Sequence, residues 1–278
     1  MHERCGPEGA GGFREQVAAG RRFRFGRNWT RFLAVVDDGR IEEAARSLRT
    51  MLGRARLDGL SFLDIGSGSG LFSLAARRLG ARVVSFDYDP ESVACTRQLK
   101  RRYFTDDPDW SIAEASVLDP DFMTALGPFD VVYAFGSLHH TGDLWKAMEL
   151  AANRVATGGV LHTMIYLDRG LVSVAWRAVK RAYCSSFVGR IAVLAVFVPY
   201  FAIRGGLEDL CRLKNPLRRY TDYRRNRGMS GVHDWIDWLG GYPYEFAKPA
   251  EVIRFMEARG FVLERQKDTE YVFRSVAE

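Results

Sequence analysis

Residues 62–70 read FLDIGSGSG, and this stretch sets the architecture of the chain. An apolar run over 60–65 leads into glycines at positions 66, 68 and 70, and a helical pattern begins at Leu71. Glycine allows a backbone to approach a ligand closely, and the first N–H groups of a helix are free to bind it. We therefore predict a buried strand, a ligand-binding turn and a helix, in that order.

Strands and helices alternate on both sides of this turn. Apolar runs predict strands over 60–65, 82–86, 130–135, 159–166, 261–265 and 271–276, and helical spacing predicts helices over 41–52, 71–79, 91–103, 144–155 and 249–259. Such alternation predicts an α/β fold with a mainly parallel, doubly wound sheet that is covered on both faces.

The alternation pauses after Tyr166 and resumes near Pro249. We therefore predict four segments. They are an N-terminal lid (1–39), an α/β core (40–166), a mostly helical, basic insertion that covers the substrate (167–245), and the last helix and two strands of the core (246–278).

The composition indicates a packed protein. Of the 278 residues, 47% are hydrophobic and 13% aromatic, which excludes wholesale disorder. The longest apolar stretch, 191–203, has thirteen residues, contains Pro199 and lies between Arg190 and Arg204. We expect it to be too short to span a membrane. The glycine-rich N-terminus lacks the apolar stretch of a signal peptide.

The cysteines argue against a metal site. The chain has four, far apart in sequence and without a CxxC pair or a histidine cluster: Cys5, Cys95, Cys184 and Cys211. Neither a zinc site nor a disulfide framework is expected, and a reducing, cytoplasmic compartment fits best.

Two carboxylates accompany the glycine turn. Asp64 lies two positions before the first glycine, and Asp87 ends the next predicted strand. The GxGxG spacing with Asp64 suits a ligand that carries a cationic amino-acid group, and Asp87 is placed to bind ribose hydroxyls. Each has an alternative without a ligand. Asp64 can be a turn residue, and Asp87 can cap the helix that starts at Pro90, a role open to Asp89 as well.

Five motifs occur together and in order: FLDIGSGSG, SFDYDPESV, ASVLD, FDVVYAFGSLHH and GGVLHTMIY. As a set, over residues 60–166, they resemble the class I S-adenosylmethionine-dependent methyltransferases. The resemblance implies a seven-stranded, Rossmann-like sheet whose last strand is antiparallel. It also implies S-adenosyl-L-methionine as the cofactor and methyl transfer as the activity.

The resemblance further implies a cofactor site. The three glycines lie against the methionine part of the cofactor, Asp87 binds the ribose, and Ser116 and Val117 lie beside the adenine. The family more often has aspartate where this chain has Ser116, which puts that contact to the adenine amino group in question. The predicted set is Asp64, Gly66, Ser67, Gly68, Gly70, Asp87, Tyr88, Ser116 and Val117.

Two adjacent histidines are candidates for the general base. His139 and His140 follow the strand predicted over 130–135, and loops at the carboxyl ends of strands are where ligands bind in this architecture. Histidine has an ordinary pKa of about 6.5 and suits proton transfer near neutral pH. We predict that one of the pair is catalytic, with preference for His140; the alternative is that both only shape the pocket. His162 lies inside an apolar strand and is predicted to be a satisfied core histidine.

The flanking segments carry a second resemblance. RFGRNWTRFL (24–33) and DWIDWLGGYPYEFA (234–247) resemble a bacterial subgroup of these enzymes associated with glycan and secondary-metabolite modification. We expect Asn28 and Trp29 to contribute to a cover over the cofactor. The candidate substrate residues are Tyr166, Tyr244 and Glu245, and for the last two ordinary packing is an equal alternative.

The insertion concentrates positive charge. Over 171–230 there are twelve Lys and Arg against three acidic residues, and seven of the twelve lie in 212–228. This run can be solvated surface, or it can bind phosphate, anionic lipid or RNA. For the neighbouring apolar stretch a buried lid is the first expectation, and a lipophilic substrate wall or peripheral membrane contact through 186–227 are the alternatives.

The sequence thus predicts S-adenosylmethionine-dependent methylation of a small molecule or glycan, with a hydroxyl oxygen as the preferred acceptor. Three alternatives stay open at this point. They are a methyltransferase acting on RNA or protein, supported only by the basic run, a cofactor-binding protein without catalysis, and a nicotinamide oxidoreductase, which the GxGxG spacing disfavours.

Overall fold

The computed structural model describes residues 12–212 and 231–276. Its centre is a seven-stranded sheet of β1 (Ser61–Ile65), β2 (Arg82–Asp87), β3 (Trp110–Glu114), β4 (Phe129–Phe135), β5 (Val155–Met164), β6 (Phe261–Lys267) and β7 (Glu270–Ser275). The strand order is β3-β2-β1-β4-β5-β7-β6. Strands β1 to β5 are parallel, and β7 is antiparallel to both β5 and β6. The predicted α/β sheet with an antiparallel last strand is confirmed.

Eleven α-helices are found within the described residues. They are α1 (Phe13–Ala18), α2 (Gly26–Leu33), α3 (Asp38–Leu52), α4 (Leu71–Arg78), α5 (Pro90–Tyr103), α6 (Pro120–Ala125), α7 (Leu144–Ala152), α8 (Leu171–Ser185), α9 (Phe187–Cys211), α10 (Gly231–Gly240) and α11 (Pro249–Glu257). A short 3₁₀ turn, Leu138–His140, follows β4.

The sheet is covered on both faces, as the apolar strands require. One core packs β1, β4 and β5 against α7 and α11, with Leu63, Val132 and Val252 among its buried residues. The other packs α3, α4 and α5 on the opposite face, around Leu48 and Leu74. The buried sheet therefore holds its carboxyl ends in a fixed row, where the loops of the candidate site lie.

Helices α8 to α10 form a third layer beside the sheet. They share a small apolar cluster whose buried members are Tyr183, Val193 and Leu239. Ser186 alone separates α8 from α9, and its side chain caps α9 by accepting a hydrogen bond from the N–H of Gly189 at 3.0 Å. The helices are thus a hairpin, α8–α9, with α10 packed against it.

Strand β3 was not anticipated from apolar periodicity. Its residues are WSIAE, and Trp110 is the one fully buried side chain among them. An edge strand with one buried residue leaves little hydrophobic pattern to detect. Only the family resemblance implied that a seventh strand exists.

The apolar stretch 191–203 differs from its expectation in two respects. It is part of a longer helix that runs through Pro199, so that α9 has 25 residues. By length and composition α9 is able to cross a membrane. It is also not a buried lid, because Val196 and Ile203 are 62% and 63% exposed. The proline removes one helical N–H, a local cost that the rest of the helix tolerates.

Candidate active site

A cavity of about 730 Å³ lies at the carboxyl ends of the parallel strands. Its walls come from the loops after β1, β2, β3, β4 and β5, from the N-terminal segment and from α10. Among the predicted site residues, the cavity brings together Gly66, Gly68, Asp87, Tyr88, Ser116, Val117, His140 and Tyr166. A cleft of this size at this edge is the usual ligand site of an open α/β sheet.

The glycine turn is shaped by close neighbours. Gly66 and Gly68 have φ angles of 76° and 55°, which side chains rarely adopt. A Cβ on Gly66 would lie 2.4 Å from the Cβ of Ser137, and one on Gly68 would lie 2.9 Å from the ring of Trp29. The turn therefore fits tightly between the loop after β4 and the N-terminal segment, with the ring of Trp29 against Gly68.

Asp87 lies at the end of β2 with its carboxylate facing the turn. One oxygen accepts a hydrogen bond from the N–H of Gly68 at 2.9 Å, and the other accepts from the N–H of Asp89 at 2.8 Å. Burial raises the pKa of Asp87 to about 6, and the two N–H donors oppose that shift. Each carboxylate oxygen has a second lone pair, so the group is able to accept two further hydrogen bonds from a ligand.

Asp89 takes the capping role that sequence left open between the two aspartates. Its carboxylate accepts from the N–H of Glu91 in the first turn of α5, and from the N–H of Gly26 at the start of α2, at 2.9 and 2.8 Å. Asp89 thus fixes the N-terminal segment to the core. Both carboxyl groups line the cavity, and only that of Asp89 caps a helix.

Asp64 does not line the cavity. It is buried under the turn, where it accepts a hydrogen bond from Ser73, whose hydroxyl lies 2.7 Å from that of Ser85. The indole of Trp110 donates to the same Ser85 oxygen at 2.9 Å. Burial raises the pKa of Asp64 to about 7. The carboxylate therefore links β1, α4 and β2 beneath the ligand site.

Ser67 and Gly70 also lie behind the cavity wall. The Ser67 hydroxyl is 3.0 Å from that of Thr96 on α5, and Gly70 precedes α4 with a φ of 79°. Both hold the shape of the turn. At the far end of the cavity, Ser116 and Val117 are exposed to the space next to Phe86, and the Ser116 hydroxyl accepts from the N–H of Leu118 at 3.1 Å.

The two histidines differ in position. His140 lines the cavity, whereas His139 is fully buried and packs on Tyr166 with ring centroids 3.9 Å apart. The Nδ1 of His140 lies 2.6 Å from the carbonyl oxygen of Pro243. Since a carbonyl only accepts, Nδ1 carries the proton and Nε2 keeps a free lone pair.

Burial keeps both imidazoles neutral. It lowers the pKa of His140 to about 3, and the pKa of His139 well below its usual range. The Nδ1 of His139 donates to the carbonyl of Met164 at 3.1 Å. Of the two, His140 is the one with access to the cavity and an unprotonated nitrogen.

Arg22 is a cavity residue that the sequence did not single out. Its guanidinium donates to the carbonyl oxygens of His140 and Thr141 at 2.7 and 2.9 Å, and to Gln16 at 2.8 Å. It also lies over the ring of Tyr88, 5.1 Å from the centroid. The basic-aromatic pattern RRFRF was the available signal, but it does not say which arginine turns inward.

The acceptor end, opposite the glycine turn, is aromatic. Phe23 and Phe25 come from the N-terminal segment, Tyr166 follows β5, and Trp235 and Trp238 belong to α10. The N–H of Phe23 donates to the carbonyl of Tyr242 at 2.8 Å, and its ring lies against Gly240, where a Cβ would be 2.1 Å away. The N-terminal segment and the end of α10 therefore meet above the cavity.

Glu245 and Tyr244 lie outside the cavity lining. The Glu245 carboxylate accepts from the N–H groups of Gly142 and Leu144, both at 3.0 Å, and burial raises its pKa to about 7. Tyr244 is buried against Tyr166. The packing alternative thus describes the contacts of both residues in this structure.

Lys180 of α8 is a second buried cation that sequence missed. It is 1% exposed, donates to the carbonyl oxygen of Trp238, and lies 4.4 and 5.0 Å from the ring centroids of Trp238 and Tyr244. Burial lowers its pKa to about 7. Lys180 ties α8 to the helix that carries the cavity tryptophans.

His162 is in the core, as predicted, but it is not satisfied. It is 1% exposed and packs on the rings of Tyr133 and Phe135. Neither ring nitrogen has a hydrogen-bond partner among the described residues, and burial lowers its pKa to about 4. In the same described part, no group of three His, Cys, Asp or Glu side chains could hold a metal ion.

Comparison with known proteins finds methyltransferases. A family model described as a methyltransferase domain matches residues 63–161. A ubiquinone biosynthesis O-methyltransferase of Caulobacter sp. (strain K31) is 28% identical over 155 residues, or 54% of this chain and 57% of the relative. One from Xanthomonas campestris pv. campestris (strain B100) is 33% identical over 110 residues, 39% and 44% of the two chains. The matches span about half the length of these relatives.

A solved structure extends the likeness in fold. Magnesium protoporphyrin IX methyltransferase from Synechocystis PCC 6803, with bound SAH, aligns over 85% of this chain and 84% of its own, with a TM-score of 0.51 and 13% identity. This likeness concerns the fold alone. Residues 63–161 match a methyltransferase domain, and the chain shares its fold with a methyltransferase of known structure.

Proposed function

We propose that this protein transfers the methyl group of S-adenosylmethionine to a hydroxyl oxygen of a small molecule. The observation that carries the proposal is one continuous cavity, with Asp87 and the glycine turn at one end and His140 among aromatic rings at the other. The O-methyltransferase names of the matched relatives support an oxygen acceptor. A glycan is the second acceptor class within the proposal.

The residues of the cavity fit the cofactor by their chemistry. The carboxylate of Asp87 would accept the ribose hydroxyls, the N–H groups of the glycine turn would hold the methionine part, and Val117 with Ser116 would flank the adenine. Tyr88 closes the same wall. Asp64, Ser67 and Gly70 would act through the shape of the turn, since they do not reach the cavity.

The cofactor, when bound, supplies a methyl group on a positively charged sulfur. The chain itself has to align an acceptor with that methyl group, and such alignment is worth roughly 7–11 kcal/mol of barrier. The rings of Tyr166, Trp235 and Trp238 would hold a flat or apolar acceptor. The free Nε2 of His140 would accept the hydrogen of the acceptor hydroxyl.

His140 is proposed as a weak base. A pKa of about 3 keeps its lone pair available at neutral pH, but it also limits how strongly the imidazole draws a proton. Its contribution should therefore be near the lower end of the usual range for acid–base catalysis, about 10²-fold.

The broader setting is also proposed. We place the enzyme in the cytoplasm, with at most peripheral membrane contact through 186–227. We keep the division of the chain into the segments 1–39, 40–166, 167–245 and 246–278. We also assign the chain to the bacterial subgroup that is marked by the segment DWLGGYPYE. The basic run in this range falls almost wholly on residues 213–230, which lie outside the described residues. The alternative of RNA binding depends on the same run and therefore also concerns residues outside the described part of the chain.

A titration and a methylation assay test the proposal. Calorimetry with S-adenosylmethionine and with NAD should show binding of the first only. Tritiated S-adenosylmethionine should then label phenols or other hydroxylated small molecules, identified by mass spectrometry. Labelling of RNA or protein instead, or of nothing in a broad acceptor panel despite tight cofactor binding, would favour the macromolecular or non-catalytic alternatives.

A further inference from the structure

One face of α9 is apolar and exposed along about four turns. Val196, Tyr200, Ile203, Leu207 and Leu210 recur at spacings of three and four residues, so they lie on the same side of the helix. Their exposed fractions are 62%, 46%, 63%, 57% and 59%. Monomeric proteins in water rarely present so much contiguous apolar surface unless something covers it.

The opposite face of α9 is fixed to the wall of the cavity. Phe201 packs on Trp235 and Trp238 with ring centroids 5.6 and 6.0 Å apart, and Trp176 of α8 packs on Trp238 at 4.2 Å. Val193 is buried in the same cluster. The helix is therefore a fixed part of the fold, with one side toward the acceptor end of the cavity and the other toward solvent.

Basic residues outnumber acidic ones in the α8–α9 hairpin. Residues 171–211 hold five Lys and Arg against Glu208 and Asp209, and Glu208 pairs with Arg204 at 3.1 Å. Arg177, Arg181, Arg190 and Arg204 are all exposed. A hairpin that carries an exposed apolar face and a surplus of exposed arginines is complementary to a bilayer surface that contains anionic lipids.

The pattern suits a helix lying in the interface better than one crossing the bilayer. Between Arg190 and Arg204 there are thirteen residues. At 1.5 Å per residue they extend about 20 Å, against a hydrocarbon core of about 30 Å. Near the end of α9, Asp209 is buried in the protein. Inserting the helix across a membrane would detach it from α8 and α10.

We propose that the exposed face of α9, with the basic residues of the α8–α9 hairpin, docks this protein on an anionic lipid bilayer. The apolar side chains enter the boundary between headgroups and acyl chains, and the arginines contact lipid phosphates. Docking leaves the cavity intact, because the residues that line it are on the other side of the hairpin.

Vesicle flotation tests the docking. The protein should float with phosphatidylcholine vesicles that contain phosphatidylglycerol, and bind pure phosphatidylcholine far more weakly. Added salt should release it, because it screens the charges. The Val196→Glu, Ile203→Glu double variant should bind the anionic vesicles at least about tenfold more weakly, since two carboxylates would enter the apolar boundary.

A matched control carries the same substitution elsewhere. Val262→Glu changes a valine of β6 that is 50% exposed and outside the hairpin, and should bind vesicles like the unmodified protein. Calorimetric titration with S-adenosylmethionine checks that each variant is folded. If the unmodified protein binds the cofactor but not the vesicles, the docking proposal is wrong and the proposed function stands. If it binds the vesicles but not the cofactor, the docking proposal stands and the proposed function is wrong.

Hydrogen exchange on the unmodified protein needs no substitution. Anionic vesicles should slow exchange over 187–211 and not over the sheet. Two further results would overturn the proposal. One is vesicle binding that the double variant retains. The other is that sedimentation shows a dimer of the unmodified protein, that the double variant is monomeric, and that neither protein binds vesicles. The exposed face of α9 would then be covered by a second copy of the chain.

Discussion

Asp87 shows how one carboxylate can be tuned by the turn that it supports. Two backbone N–H groups hold its oxygens toward the cavity, while burial raises its pKa to about 6. The free group is thus close to taking up a proton under mildly acidic conditions. A carboxylate that has to accept hydroxyl hydrogens must be ionised, so its protonation opposes ligand binding.

Affinity for S-adenosylmethionine should therefore fall as the pH is lowered from 7.5 to 5. Calorimetry across this range measures it. Asp87→Asn should bind about tenfold to a hundredfold more weakly, the cost of losing hydrogen bonds to a charged acceptor, and its affinity should change little with pH. Asp106→Asn, at an exposed site with φ of 56°, is the matched control. A pH dependence that survives in Asp87→Asn would assign it to another group.

His140 gives a prediction for the chemical step. His140→Ala should lower kcat about 10²-fold and leave the cofactor affinity within about twofold, because the imidazole faces the acceptor and not the glycine turn. Steady-state kinetics with an acceptor from the panel separates the two quantities. His162→Leu is the control, since His162 is buried away from the cavity. Equal losses in both variants would point to a general effect on folding.

For single residues, the sequence allowed the residue types of the candidate site to be predicted better than the contacts that these residues make. Gly66, Gly68 and Asp87 line the cavity, and they could be proposed from the sequence because few residue types serve the roles predicted for them. The motif also predicted Asp64, Ser67 and Gly70 as cofactor-site residues. In the structure these three residues lie behind the glycine turn and do not line the cavity. Arg22 lies in a bend before α2 and Lys180 lies in α8. Both were missed, because a basic residue in either kind of segment gives no sign of whether it turns inward.

Among the elements, α8 and α10 depend on a buried amine. Lys180 joins them through the carbonyl oxygen of Trp238 and two aromatic rings. Its pKa is about 7 in the folded protein and near the ordinary 10.4 in the unfolded chain. Between these values the unfolded state binds more protons, so raising the pH should increase stability.

Urea unfolding at pH 7.5 and 9.5 tests this dependence. The unmodified protein should gain unfolding free energy at the higher pH, by at most about 1.4 kcal/mol per pH unit from this one group. Lys180→Met should remove that gain. Lys248→Met, at an exposed position, should retain it. An unchanged pH slope in Lys180→Met would mean that the amine stays protonated in its aromatic surroundings.

The elements also show where pattern reasoning stops. Strands buried on both faces, such as β1 and β4, are recognisable from runs of apolar residues. Edge strand β3 has one fully buried residue and no such run. For α9, the thirteen apolar residues of 191–203 did not indicate a helix of 25 residues, which runs through Pro199 and packs through Phe201 and Val193. Tertiary contacts determine whether such a strand forms and how far such a helix extends, and these contacts cannot be read from a single sequence.

In the whole molecule, the N-terminal segment covers the part of the cavity that contains the glycine turn. Trp29 lies over the glycine turn, and Asp89 holds the start of α2. S-adenosylmethionine should therefore slow amide exchange in α2 as well as over 66–70, measured by mass spectrometry. Helix α9 should exchange as before. Protection limited to the turn and the end of β2 would show that the N-terminal segment is not a cover.

The meeting of Phe23 with Gly240 and Tyr242 has a consequence for the order of events during turnover. This contact joins the N-terminal segment, which would cover the nucleoside, to the end of α10, which would cover the acceptor. Breaking the contact would therefore open both parts of the cavity at the same time. We expect the methylated compound and the spent nucleoside to leave during the same opening. The pace of that opening, rather than of methyl displacement, would then limit the enzyme when both reactants are saturating.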